Sequence, residues 1–313
     1  MKKQLLIAAV AATMTSVAFA DVSITGQMKA NYKATETAGV NVNTVTTETN
    51  LYVAGKSGDT KVHIELDMDS SDGAGADMDV EDVWMSTKIA GATVKAGTWN
   101  GSDSLLGADS DRATGKFEVT LPTMSGVTVS FDGSADANKN VVVKGSVAGV
   151  DLSYKIDDGS QNEIKASTTV QGIKIAYHNI ADSDVAATET GKSSIMVSGT
   201  VQGLNLTYAQ ATTDANALIN GDSYFGNTAA YETPVATGSD VSAFGVSTSL
   251  AGNTVSAKQI TVDNTGANTD ITKFVVTRPL AGGATLEVVY TDEDTGTTAS
   301  SRETLDVELA VKF

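Results

Sequence analysis

The residues that most often carry chemistry are thinly spread in this chain. It has no cysteine, and its two histidines, His63 and His178, lie far apart in the sequence. Thiol catalysis and a cysteine-ligated zinc site are thereby excluded. A histidine metal site would need carboxylate help, and a Ser-His-Asp triad would need a geometry that spacing alone does not supply. The run Asp67-Met68-Asp69-Ser70-Ser71-Asp72-Gly73 has the look of a calcium loop. Its glycine comes one place late, however, and Met78 stands where a glutamate should close the coordination, so it reads as a solvated acidic loop. Glycine-rich phosphate motifs are absent. No catalytic residue, metal or cofactor is expected.

What remains is the chemistry of charge in water. Asp103, Asp109, Asp111 and Arg112 crowd the segment 100–115, where Leu105 and Leu106 can anchor an otherwise polar stretch. Such a charge run is commonly no more than a solvated face. Lysines are placed differently: Lys29, Lys61, Lys95, Lys116, Lys144, Lys155, Lys165 and Lys174 fall within alternating segments rather than between them. The full chain holds 21 basic against 38 acidic residues, a net charge of −17. A nucleic-acid partner is not expected of so acidic a protein, because phosphate backbones select basic surfaces.

The elements that must position these charges are strands. From Lys61 to Asp69 every even position is apolar and every odd one polar, which puts the two kinds on opposite faces of one strand. The same two-residue period runs through Val22, Ile24, Gly26, Met28, Ala30 and Tyr32. It returns in Leu152, Tyr154 and Ile156, in Ile173, Ile175 and Tyr177, and in Leu305, Val307, Leu309, Val311 and Phe313. Helical spacing is nowhere as persistent, so the fold class is all-β.

Glycine-centred turns punctuate the strands at Gly58, Gly91, Gly126, Gly149, Gly172, Gly203, Gly252 and Gly282. Glycine tolerates the positive φ of a tight hairpin. Between these hairpins lie longer polar linkers, near 33–48, 70–79, 100–115, 133–140, 157–162, 179–193, 210–240, 263–270 and 293–303. Counting gives about 16–18 strands with short joints on one side and long ones on the other. That asymmetry is the signature of a transmembrane antiparallel β-barrel with short periplasmic turns and long external loops. No apolar run beyond residue 20 reaches the ~18 residues of a membrane helix. Residues 1–20 read as a cleaved signal peptide: Lys2 and Lys3, an apolar stretch from Leu5 to Ala12, then Ala18-Phe19-Ala20. Residues 21–313 then form a single barrel.

In such a barrel the charged face must look into water, since a lysine or arginine near the bilayer midplane costs about 2–4 kcal/mol. Lys61, His63, Glu65, Asp67 and Asp69 would therefore line the lumen. Tyr32, Trp84, Trp99, Tyr154, Tyr177, Tyr208, Tyr290 and Phe313 are candidates for an aromatic girdle at the lipid interface.

The signal peptide, the opening Ala20-Asp21-Val22-Ser23-Ile24-Thr25-Gly26-Gln27 and the closing strand from Leu305 to Phe313 together resemble the general-diffusion porins of Gram-negative outer membranes. The resemblance implies insertion in outer-membrane lipid, a homotrimer, and assembly machinery that reads the strand ending at Phe313. It also implies that the loop after the fifth strand, 100–115, folds inward. Asp103, Asp109, Asp111 and Arg112 would then face the lysines of the wall across a constriction. The sequence departs from the family in having only three arginines, Arg112, Arg278 and Arg302, so its basic wall is lysine, without the rigid arginine fork.

The expected function is a water-filled channel for passive diffusion of small hydrophilic solutes and ions, cation-preferring because its loops are acidic. The alternative is a structural or adhesive surface β-protein without an open pore; an outer-membrane enzyme would rest on fold analogy alone.

Overall fold

The computed structural model describes residues 21–71, 77–99, 115–134, 139–157, 161–182, 191–214, 224, 240–263, 268–296 and 301–313. Within them lie eighteen strands. The first nine are β1 (Asp21–Thr37), β2 (Val40–Ser57), β3 (Thr60–Ser71), β4 (Asp77–Ile89), β5 (Ala92–Thr98), β6 (Lys116–Thr120), β7 (Val127–Gly133), β8 (Asn140–Val147) and β9 (Val150–Asp157). The rest are β10 (Gln161–Val170), β11 (Ile173–Asp182), β12 (Lys192–Val201), β13 (Leu204–Thr213), β14 (Asp240–Leu250), β15 (Asn253–Asp263), β16 (Thr269–Pro279), β17 (Ala284–Asp294) and β18 (Arg302–Lys312). Each strand pairs antiparallel with the next, and β1 also pairs with β18 from Gln27–Lys312 to Thr37–Arg302. The sheet closes into a barrel and leaves no open edge.

Tight turns occupy one rim. Ala90-Gly91, Ser125-Gly126, Ala148-Gly149, Gln171-Gly172, Gln202-Gly203 and Ala251-Gly252 each place two successive residues at positive φ. This is the backbone of a two-residue hairpin whose twist matches its strands. The stretch 33–48 departs from expectation: it is strand, turning at Ala38-Gly39 rather than looping. Its alternating Thr and Val favour a ribbon. At 17 and 18 residues β1 and β2 exceed the ~9–11 that a tilted strand needs to cross a bilayer. Residues 40–46 are exposed on both faces. The hairpin therefore projects beyond the lipid band.

Along the barrel the outward face is aliphatic and bare: Ile24 is 65% exposed and Leu309 43%. At the far ends of β13–β16 the polarity inverts. There Gln210, Thr212, Asp240, Ser242, Thr261, Asp270 and Thr272 alternate outward, with Thr212 donating to Asp240 and Thr261 to Asp270, at 2.7 and 2.6 Å. The inward residues between them are Ala209, Ala211, Val241, Ala243, Ile260, Val262 and Ile271, all buried. Strands that leave lipid stand in water, so their oily side turns inward as in a soluble sheet. The uniformly wet interior expected from the sequence is corrected here. This apolar patch is the main described core, and Ile180, Met196 and Tyr224 pack against it.

Candidate functional site

The inner wall is the surface on which solutes can be handled. Side chains directly opposite in an antiparallel pair share a face, so the register assigns the wall residue by residue. All eight lysines nominated from sequence face inward. Lys95 lies opposite Glu118, Gly97 opposite Lys116, Lys144 opposite Ser153, Lys155 and Glu163 opposite one another, and Lys165 opposite His178. Lys174 faces Ser198 and Lys61 faces Lys56. Lys29 Nζ is 3.2 Å from Glu48 Oε2.

Two arcs of unlike charge follow. From β5 to β11 run Lys95, Lys116, Lys144, Lys155, Lys165 and Lys174. Across the barrel, from β17 through β18 to β3, stand Glu287, Asp306, Glu308, Glu48, Glu65 and Asp67. In the acidic arc like charges oppose one another directly, Glu287 with Glu308 and Asp67 with Asp79. Such pairs are unfavourable unless water or a cation screens them. Asn31 donates to Asp306 at 2.7 Å and Thr277 to Glu287 at 2.9 Å, which fixes two of the carboxylates in place.

The linker expected at 70–79 is largely strand: Ser70 and Ser71 end β3, and β4 already begins at Asp77 and carries Asp79, Glu81 and Asp82. The linker is shorter than its acidity suggests. Alternation that continues through Met68 and Met78 keeps the ladder paired to Asp69–Asp77. Among the described residues no group of three or more His, Asp or Glu side chains could hold a metal ion.

Within the basic arc, Glu163 Oε1 has two close neighbours, Lys165 Nζ at 2.6 Å and His178 Nε2 at 2.7 Å. His178 is fully buried by that contact and its surroundings. Nearby, Lys144, Lys165 and Lys174 line a cavity of about 490 Å³ with Thr128, Ser146 and Asp151.

Trp84 and Trp99 are not girdle residues. Trp84 shares the inner rung of His63 and Gly97, and Lys95 Nζ sits 4.4 Å from the Trp84 ring centre and 4.2 Å from that of Trp99. Phase could have warned of this, since Trp84 and Trp99 are followed or preceded at even intervals by Ser86, Lys95 and Gly97 rather than by aliphatics. Tyr32, Tyr154, Tyr177 and Tyr208 do stand on the outer face, joined by Phe244 and Phe274.

Sequence reasoning also missed Tyr224. It reaches the inner wall from the long segment between β13 and β14, its hydroxyl 3.5 Å from the Thr207 carbonyl. Lys258 donates to the Tyr224 carbonyl at 2.5 Å and stands 4.2 Å from its ring centre. A Cβ on Gly245 would collide with the Tyr224 hydroxyl. The nominated Asp103, Asp109, Asp111 and Arg112, like the leader 1–20, lie outside the described residues.

No protein-family model matches the chain, and no curated protein matches it. Solved structures do. A BenF-like porin from Pseudomonas fluorescens Pf-5 is 10% identical with a TM-score of 0.74, over 94% of this chain and 99% of that one. Pseudomonas aeruginosa OccK2 (OpdF), in complex with glucuronate, is 10% identical with a TM-score of 0.73, over 94% and 98%. Pseudomonas aeruginosa OccK5 (OpdH) is 8% identical with a TM-score of 0.73, over 95% and 99%. At such identities the likeness is one of fold: this chain has the barrel architecture of outer-membrane porins.

Proposed function

We propose that a barrel of this architecture works here as an outer-membrane channel, through which small hydrophilic solutes and ions pass by diffusion without a chemical step. The observation that carries the reading is the polarity of the closed sheet, aliphatic toward the bilayer and charged toward the lumen. A closed cylinder of eighteen strands is wide enough to hold an aqueous path.

The two arcs give that path a transverse field, which orients dipolar solutes without binding them. Cation preference is part of the proposal: the net charge is −17, and the facing carboxylate pairs concentrate negative potential. The loop 100–115 is proposed to narrow the path with Asp103, Asp109, Asp111 and Arg112. Export through the leader 1–20, a homotrimer, and assembly through the strand ending at Phe313 complete the reading.

Refolded mature protein in a planar bilayer tests it. Stepwise conductance is expected, together with a folded band on gels that converts on boiling. Liposomes that retain a small loaded sugar in the presence of the folded protein would overturn the channel and favour a pore-less surface protein. A reversal potential in a salt gradient decides the ion preference, and an anion-selective sign refutes it.

A further inference from the structure

The acidic arc contains one rung whose like charges are not met by a cation among the described residues. Gln27, Asn50, Asp67 and Asp79 lie side by side on the inner face of β1, β2, β3 and β4. Asp67 and Asp79 are directly opposite, and Asp69, Glu81 and Glu48 act on Asp67 as further like charges. Lys29 is already engaged by Glu48 at 3.2 Å. Lys312, opposite Gln27, stands three strands from Asp67, about 14 Å at ordinary strand spacing.

Asn50 sets this rung apart from the other carboxylate pairs. Its side chain is more than nine-tenths buried, at 8% exposure, and its Oδ1 and that of Asp67 are both shut off from solvent with no hydrogen-bond partner among the described residues. Two acceptors thus lie opposite one another where water does not reach them, and a buried acceptor left unpaired is costly. Turning the amide over would give Asp67 a donor but would leave Asp67 and Asp79 facing each other uncompensated. We propose that Asn50, Asp67 and Asp79 form a site for one hard divalent cation of the calcium type, held by the amide oxygen and the two carboxylates, with water filling the rest of its shell. The ligands come from three strands, not from the run 67–73.

The chemistry selects the class. Every donor is an oxygen, which suits calcium-like ions and not the softer metals that take nitrogen or sulfur. Side chains opposite one another on paired strands have Cβ atoms about 4.5–5.5 Å apart, within reach of a shared ion at oxygen distances of about 2.3–2.6 Å. A dication matches the two carboxylates in charge, whereas a monovalent ion leaves one of them unbalanced. No three His, Asp or Glu side chains converge among the described residues, so the amide of Asn50 takes the third place. Asp79 is exposed, and the ion enters from the lumen on that side. Two charges and an open side put half-saturation at about 0.1–1 mM, the weak end of calcium sites.

Mature protein refolded in lauryldimethylamine oxide and stripped of metal with a chelator is titrated with calcium chloride in a calorimeter, in about 0.1 M sodium chloride to screen loose surface attraction. Saturable uptake is expected, with half-saturation weakened about tenfold or more by Asp67→Asn and by Asn50→Leu. Asp263→Asn also breaks a facing carboxylate pair, Asp240 with Asp263, but one without a buried amide, and should leave the titration unmoved. The proposal is overturned by unsaturable binding in the unmodified protein, by saturation that Asp67→Asn and Asn50→Leu both leave unchanged, or by an equal loss in Asp263→Asn. A second measurement needs no variant. Calcium at about tenfold its half-saturating level should raise the thermal midpoint followed by circular dichroism, because an ion that binds only the folded state stabilises it. Sodium at equal ionic strength should not, and equal effects of the two salts also overturn the proposal. The site needs a wet inner wall but not conduction: binding without conductance would keep the site and sink the channel, and conductance without binding would do the reverse.

Discussion

Phe313 closes the barrel on Gly26. The Gly26 amide donates to the Phe313 carbonyl at 2.7 Å, the Phe313 amide returns a bond at 2.9 Å, and the phenyl ring occupies the place of the missing side chain, 2.5 Å from where a Cβ would sit. The two ends of the chain whose residues carry the porin resemblance are therefore the two sides of one seam.

That fit makes the seam sensitive to a methyl group. Gly26→Val should overpack it and cost about 1–3 kcal/mol, read as a lower temperature at which the unboiled gel band converts to the unfolded one. The cost should shrink in a Phe313→Ala background, because contacting residues couple non-additively. Equal costs in both backgrounds would mean that ring and glycine do not touch.

Tyr224 and Lys258 make a second local prediction. The ring, the carbonyl and the ammonium hold Tyr224 against the buried apolar wall. A cation–π contact removed from bulk water contributes about 1–2 kcal/mol. Tyr224→Ala should take this ring from the inner wall and raise both mean conductance and current noise in single-channel records. Gly245→Val, which evicts the hydroxyl from the other side, should do the same. Unaltered records for both variants would show that the contact does not shape the conducting path.

Most of the strand plan is legible from alternation and glycine turns: the fifth strand, expected to end ahead of the loop 100–115, is Ala92–Thr98. Three features were not, each for a physical reason. The 33–48 stretch is polar and looks like loop, yet two ribbons in water need no oily face to pair. Trp84 and Trp99 follow the general preference of indoles for interfaces, yet their phase puts them inside. The apolar inner face of β13–β16 follows from where lipid ends, and a period of two says which residues share a face without saying which face is wet. His178 is a case between: its inward phase follows from the alternation of Ile173, Ile175 and Tyr177, but its pairing with Glu163 at 2.7 Å depends on the β10–β11 register.

The charged arcs predict how selectivity responds to substitution. A unit charge 10 Å from a passing ion in bulk water contributes about 0.4 kcal/mol, roughly a factor of two in a permeability ratio. Lys144→Gln and Lys174→Gln should each raise the preference for cations by about that factor, while Glu287→Gln and Glu308→Gln should each lower it. Reversal potentials in ~0.1 M salt would measure the change. In ~1 M salt, where screening falls to about 3 Å, the four shifts should nearly vanish. Shifts of the same sign from lysine and glutamate variants would contradict a transverse field.

The inversion of polarity along the outer surface marks where the bilayer stops, and it can be tested by moving one charge. Val197 alternates outward on β12, opposite Ile175 and Tyr208 and flanked on its own strand by Ile195 and Gly199. Ser242 also faces outward, but beyond the girdle, opposite Gln210 and Thr261. Arginine at the first site would have to leave water and should cost about 2–4 kcal/mol, whereas at the second it remains hydrated and should cost about 0–1. Urea-induced unfolding in lipid vesicles would separate Val197→Arg from Ser242→Arg by about fivefold to several hundredfold in equilibrium constant. Equal tolerance of both would mean that the aliphatic band does not face lipid, and a reversed order would put the bilayer at the wrong end of the barrel.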